Sequence, residues 1–355
     1  MVLRPKSAED IQEAVRAHPK LHMCGAGTKT GLRVADADAD ATTLDISQLS
    51  GVLEYDPQEF VLTAYAGTPV AQIEKLLAEQ GQYLPFDPLL SKHGATLGGT
   101  VAANASGPGR FRYGGVRDFL IGAKFVDGTG TLLRGGGKVV KNAAGFDYPK
   151  LMVGALGRLG VLVELTFKVF PKPEQYMTLR VEQSSLADAI STLYKLNTTP
   201  LDVEALDMAP SQPSSVLTGE GFAMWVRIGG LASGLKERIE RIERMIGAGE
   251  AMRGEDDIRF WQSVREFDWA TSGEVTKIPI TPERIKDLEQ QLGSTTIARR
   301  YSVGGNVAYV AAPFASQDFG GFMLLGKDMP VPMQSNQHAF AQRIKQALDP
   351  QHKFV

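Results

Sequence analysis

The sequence predicts an α+β protein of two domains, and three observations carry that reading. The chain has 355 residues, more than one typical hydrophobic core organises. Its first half is rich in glycine and short β-type runs, whereas strand-like and amphipathic helical segments alternate later. Between them stands Pro171-Lys172-Pro173, which interrupts helix and sheet alike. The expected domains are 1–172 and 173–355.

The elements follow in order. Ser7 caps a helix reaching about His18, with Glu9 and Asp10 in its first turn. Lys20–Cys24 reads as a strand entering a glycine-rich loop. Gly51–Tyr55 and Phe60–Ala66 are strands separated by the turn Asp56-Pro57-Gln58-Glu59. Thr68 as N-cap and Pro69 at the first helical position open a helix whose apolar face is Val70, Ile73, Leu76 and Leu77, and Gly81 ends it. Phe119–Val126 and Thr131–Arg134 form a hairpin around Asp127-Gly128-Thr129-Gly130, and Leu159–Phe170 is a long β-rich run. The second half offers helices at Leu186–Leu196, Leu235–Ile246, Pro282–Leu292 and Ser335–Leu348. Its strands are Met177–Val181, Phe222–Ile228, Ile297–Ser302 and Val307–Ala311. The acid-alternating stretch from Ala35 to Ala41 reads as a solvated loop.

Composition narrows the function. With 43% hydrophobic residues the chain can bury a sizeable core, and a net charge of −2 gives no general attraction to nucleic acid or anionic lipid. The single cysteine, Cys24, excludes an intrachain disulfide framework and fits a reducing cytoplasm; it reads as a small buried residue. The first residues carry Arg4, Lys6, Glu9 and Asp10 and no apolar core, unlike a signal peptide. No apolar run approaches the length of a membrane span.

Three glycine clusters carry the chemistry. The first is Gly25-Ala26-Gly27-Thr28-Lys29-Thr30-Gly31. Glycines admit positive φ and close approach, and successive backbone N–H groups form an anion-binding concavity. Neither the Walker ending nor the G-x-G-x-x-G spacing is present, so by itself the loop fits a plain turn as well as a phosphate cradle. The second runs from Gly94 to Gly107, with Gly98-Gly99 at a short helix start. Exposed N–H groups there would suit a pyrophosphate, and the run of small side chains would make a wall for a large flat ligand; the alternative is a tight packing turn. The third is Gly154-Ala155-Leu156-Gly157-Arg158-Leu159-Gly160, before the strand opened by Val161.

Together with Arg112-Tyr113-Gly114, Val116-Arg117-Asp118 and Leu156–Val163, the Gly94–Gly107 cluster resembles the FAD domain of the vanillyl-alcohol oxidase and p-cresol methylhydroxylase superfamily, over about residues 4–172. Within it, Lys138–Asp147, Lys150–Gly154 and Leu84–Pro88 resemble the smaller FAD-binding subunit of bacterial glycolate oxidase, also called glycolate dehydrogenase.

The resemblance implies an FAD-binding domain of p-cresol methylhydroxylase type followed by a cap-like α+β domain. It implies noncovalent FAD, since the attachment context is absent around His22 and Cys24. Gly25, Ala26, Gly27, Thr28, Lys29, Thr30 and Gly31 would wrap the pyrophosphate. Pro88, Thr96, Gly98, Gly99, Asn104, Ser106 and Gly107 would line the flavin, and Gly157, Gly160 and Val161 its other side. It further implies oxidation of glycolate to glyoxylate in a complex with a larger flavin subunit and an iron–sulfur subunit, with membrane association only through these partners.

Relatives often hold a metal with a histidine-rich motif, but Tyr301–Tyr309 has no histidine, so no metal and no complete hydroxy-acid site are expected, and no catalytic residue is assigned. Arg299-Arg300 reads as a solvated basic pair. The ending Asp349–Val355 lacks the family's Asn-Pro-Gly turn, which puts a C-terminal flavin contact in doubt. Two other readings stay open: a self-sufficient FAD enzyme acting on another hydroxy acid or alcohol, and a structural subunit that has lost its cofactor.

Overall fold

The computed structural model describes residues 1–32, 40–137, 146–211, 221–293, 296–316, 318–327 and 338–355. Most of the acidic loop at 35–41 and of the 138–147 motif therefore lies outside the described residues. The chain forms two compact units. The first holds residues 1–106, 114–172 and the described C-terminal residues from 338; the second holds 107–113 and 173 onward through 327. The expected division at 172/173 thus needs two amendments, because the C-terminal segment and residues 107–113 each belong to the other unit. The C-terminal exchange has a clear cause: Leu21 N–H donates to Lys353 O at 2.7 Å, and Lys353 Nζ to Val15 O at 2.5 Å.

The first unit contains two larger sheets. Val2–Leu3, Thr42–Asp45 and Leu21–Cys24 form a parallel three-stranded sheet with Thr42–Asp45 in the middle. Val52–Asp56, Val61–Tyr65, Val161–Lys168, Leu120–Val126 and Leu132–Gly136 form an antiparallel five-stranded sheet in that order. Alternation along Val161–Lys168 buries Val161, Val163, Leu165 and Phe167. The helix Ala8–Ala17 begins as expected, since Ser7 and Asp10 form a reciprocal capping box. The next helix, Val70–Ala78, differs at its start. Pro69 occupies the N-cap without a side-chain bond, while Thr68 is drawn away to Gly51, accepting from its N–H at 2.9 Å and donating to its carbonyl at 3.1 Å.

The second unit is built on an eight-stranded antiparallel sheet. Its order is Glu250–Arg253, Gln175–Gln183, Phe222–Gly230, Val203–Pro210, Arg299–Ser302, Val307–Val310, Val275–Pro279 and Phe322–Leu325. Helices Leu186–Asn197, Ala232–Ile246 and Ile285–Leu292 bury Leu193, Leu235, Ile239, Ile285 and Leu288 in one core with the apolar side of the strands. Arg299 and Arg300 are not a solvated pair. Both are 5% exposed; Arg299 Nε donates to Glu289 at 2.6 Å and Arg300 Nε to Asp207 at 2.6 Å. Buried charges persist when paired in this way.

Candidate functional site: a glycine-lined cavity in the first unit

The strand Leu21–Cys24 ends by running directly into the first glycine cluster. There Gly25, Ala26, Gly27, Thr28 and Lys29 line one side of a cavity that opens to solvent. Gly27 has φ +67°, the left-handed region that a side chain resists. Among the described residues, no hydrogen bond uses the backbone N–H groups of Gly25, Ala26, Gly27 or Thr28. Lys29 is only 9% exposed and lies in the same wall, its Nζ 3.4 Å from Thr28 Oγ1. Consecutive uncommitted donors beside a buried cation are what a pyrophosphate requires.

The second wall comes from Thr96, Gly98, Gly99, Ala102 and Ala103. Its helix, Leu97–Ala102, departs from the expectation of an exposed N-terminus. Leu97 N–H donates to Thr68 O at 2.9 Å, Gly98 N–H to Ala66 O at 2.7 Å and Gly99 N–H to Thr96 Oγ1 at 3.2 Å. These donors are spent inside the fold, so the helix start supplies a small-residue surface and not the anion site. A Cβ on Gly98 would lie 2.9 Å from the Ala66 carbonyl oxygen, and one on Gly25 would lie 2.6 Å from Thr96 Oγ1. Absent side chains here let the two walls approach each other.

The third wall is Met152, Ala155, Leu156, Gly157, Gly160, Val161 and Leu162. Gly157 has φ +78°, and a Cβ there would meet Met23 at 3.0 Å. The structure thus brings together Gly25, Ala26, Gly27, Thr28, Lys29, Thr96, Gly98, Gly99, Gly157, Gly160 and Val161. Other residues in the expected set fall outside this lining. Thr30 and Gly31 turn away into a short 3-10 helix, Thr30–Leu32. Pro88 pairs with Ser106, whose hydroxyl accepts from Val116 N–H at 2.9 Å. Asn104 adopts φ +47°, and Gly107 belongs to the second unit.

Sequence reasoning missed His22, Met23, Leu32, Ile46, Met152 and Val355 as lining residues. Alternation along Leu21–Cys24 puts His22 on the same face as Cys24 and could have suggested it, but gives no such signal for Met23. No sequence signal points to Val355. It arrives because Val355 N–H donates to Leu21 O at 3.1 Å, making the C-terminus a neighbour of that strand. Buried Asp349 holds this turn by accepting from Lys353 N–H at 2.8 Å, Phe354 N–H at 2.9 Å and Lys345 Nζ at 2.6 Å. Burial pushes the Lys345 ammonium below its ordinary pKa, and Asp349 offsets part of that effect. Cys24, expected to be buried, is half-buried and lines the cavity, its thiol donating to the Gly25 carbonyl at 3.2 Å.

Comparison with known proteins agrees with this geometry. Residues 1–136 match the family described as FAD binding domain. The chain is 36% identical to glycolate oxidase subunit GlcE of Escherichia coli (strain K12) over 258 residues, covering 73% of this chain and 67% of that protein. It is 33% identical to D-2-hydroxyglutarate dehydrogenase of Xanthomonas citri pv. viticola and 29% identical to D-lactate dehydrogenase of Anaerostipes hadrus. Those alignments cover 49% and 58% of this chain but only 38% and 44% of the two dehydrogenases. In fold it is similar to alkyldihydroxyacetonephosphate synthase, with a TM-score of 0.73 at 16% identity over 99% of this chain and 74% of that one. The chain is an FAD-dependent oxidoreductase with a p-cresol methylhydroxylase-type FAD domain, and it belongs to the family of glycolate oxidase subunit GlcE.

Proposed function

We propose that this chain is the FAD-carrying subunit of a glycolate dehydrogenase, working with a larger flavin subunit and an iron–sulfur subunit to oxidise glycolate to glyoxylate. The observation that carries the reading is the Gly25–Lys29 loop: four backbone donors uncommitted among the described residues and a buried lysine, all on the wall of one glycine-lined cavity, in a relative of GlcE.

In this reading Gly25, Ala26, Gly27, Thr28 and Lys29 hold the pyrophosphate. Thr96, Gly98 and Gly99 give a smooth wall, and Gly157, Gly160 and Val161 close the other side. Thr30, Gly31, Pro88, Asn104, Ser106 and Gly107 keep the supporting roles implied by their place in the FAD domain. FAD, when bound, supplies the acceptor for the two electrons that alcohol oxidation releases. The chain's own residues position it and exclude water from the walls. The cofactor is held without a covalent bond. Among the described residues no helix is long and apolar enough to cross a membrane, so association with one would run through the partner subunits.

The test is dye-linked glycolate oxidation by the purified chain, alone and after reconstitution with the two partner subunits. Activity that needs all three supports the subunit reading. Full activity of the lone chain supports the self-sufficient enzyme instead. A colourless chain that takes up no FAD refutes both.

A further inference from the structure

One ammonium group in the first unit is bonded to two parts of the cavity wall at once. Lys345 lies near the end of the helix His338–Leu348. Its Nζ donates to Asp349 Oδ2 at 2.6 Å, to Phe354 O at 2.8 Å and to Arg158 O at 2.8 Å. An ammonium has three N–H bonds, and these three acceptors use all of them. The centre of the Phe354 ring lies 5.6 Å from the same nitrogen, within reach of a cation–π attraction. The Lys345 side chain is 21% exposed and that of Asp349 is fully buried, so water competes little for this set of bonds.

The two carbonyls belong to separate walls. Arg158 sits in the turn between Gly157 and Gly160, both of which line the cavity. At its start this turn is tied to the helix Leu97–Ala102: Gly154 N–H donates to Val101 O at 3.0 Å and Leu156 N–H to Ala102 O at 3.0 Å. Phe354 precedes Val355, which lines the cavity from the C-terminal turn. That turn is tied to the strand Leu21–Cys24, with Leu21 N–H donating to Lys353 O at 2.7 Å and Val355 N–H to Leu21 O at 3.1 Å. Lys345 thus joins the wall built on the Leu21–Cys24 strand to the wall built on the third glycine cluster. Without the ammonium, the Arg158 and Phe354 carbonyls share no partner and Asp349 loses its counter-charge. The two walls could then part by local opening, and a ligand held between them would leave more readily.

On the reading that this cavity holds FAD, we infer that Lys345 is a positioning residue for the cofactor: its ammonium pins the C-terminal turn to the Gly157–Gly160 turn and so slows FAD release. Lys345 is not itself among the residues lining the cavity, so it acts through Arg158 and Phe354 and not by contact with the cofactor.

The experiment measures the rate of FAD release from the loaded full chain by flavin fluorescence after dilution. The proteins are the wild type, Lys345→Met, the pair Lys345→Met with Asp349→Asn, and Ile11→Ala. Ile11 is fully buried in the helix Ala8–Ala17 and outside the cavity lining, so Ile11→Ala lowers stability and leaves the pin in place. Asp349→Asn keeps a side-chain oxygen for the N–H groups of Lys353 and Phe354, so the pair removes the pin without stranding a buried charge. Lys345→Met and the pair should release FAD roughly tenfold faster than the wild type, whereas Ile11→Ala should stay within about twofold of it. Wild-type release from the unpinned chains would overturn the inference, as would an equal acceleration in Ile11→Ala, which would mark a general loss of stability. If Lys345→Met does not fold, an unchanged rate in the pair overturns it alone. Unchanged rates in chains that do load FAD leave the flavin reading standing, whereas a wild type that takes up no FAD sinks that reading and this pin together.

Discussion

Gly98 and Gly99 are neighbours in sequence but have different reasons to be glycine. A Cβ at 98 would press on the Ala66 backbone at 2.9 Å, whereas at 99 the nearest atom is the Thr96 hydroxyl at 3.1 Å. Gly98→Ala should therefore destabilise the fold by about 1–3 kcal/mol through overpacking, visible as a lower urea midpoint of the cofactor-free chain. Thr96→Ala should cost about 1 kcal/mol through loss of the cap on Gly99 N–H. A Gly98→Ala protein as stable as the wild type would show that Ala66 does not require the glycine. The glycine clustering was legible in the sequence. Its division of labour was not, because only the folded backbone reveals that the donors at 97–99 are consumed by Ala66, Thr68 and Thr96 while those at 25–28 have no partner among the described residues.

Lys277 makes a separate prediction at the same scale. Its folded value of about 8 lies below the ordinary 10.5, so between these pH values the folded chain binds fewer protons than the unfolded one. Stability should then rise as pH climbs through that window, by up to about 3 kcal/mol, with no contribution to the slope below it. Urea midpoints of the wild type and Lys277→Met at pH 7 through 10 isolate the effect. Parallel curves for the two proteins would contradict it.

At the scale of elements, segments with clean periodicity were readable and segments with buried charges were not. Ala8–Ala17, the hairpin of Leu120–Val126 with Leu132–Gly136, and Ala232–Ile246 follow patterns that the sequence displays. Val203–Pro210 was missed because Glu204 and Asp207, at 5% and 0% exposure, interrupt the apolar run that a buried strand normally shows. The helix Glu255–Glu266 was missed for a related reason: Asp257 is fully buried, accepting from Thr178 Oγ1 at 2.5 Å and Arg227 Nη2 at 2.6 Å, so its inward face does not read as apolar. The C-terminal turn depends on one carboxylate in the same way. Asp349→Ala should cost about 3 kcal/mol, since it strands the partly buried Lys345 ammonium and two backbone donors. It should also weaken FAD binding by loosening Val355 from the cavity wall. Unchanged FAD affinity in a destabilised Asp349→Ala chain would separate the turn from the site.

Across the whole molecule, the α+β class was legible from composition and from the alternation of strand-like and helical segments. The return of the C-terminal residues to the first unit was not, because it rests on Lys353 and Leu21 meeting across more than three hundred residues. The consequence is that the cofactor unit includes both ends of the described chain. Ligand-linked stabilisation of that unit should amount to about 2.7 kcal/mol at a hundredfold excess of FAD over its Kd.

The central claim, that the Gly25–Lys29 loop holds FAD, is tested most directly by titrating FAD into cofactor-stripped wild type and Lys29→Met, followed by flavin fluorescence. The wild type should bind one equivalent, released into the supernatant by acid precipitation. Lys29→Met should keep its cofactor-free Tm and lose at least tenfold in affinity, roughly the 1.4 kcal/mol of one charge-assisted contact. Equal affinity in the two proteins would contradict the account, as would a wild type that binds no FAD.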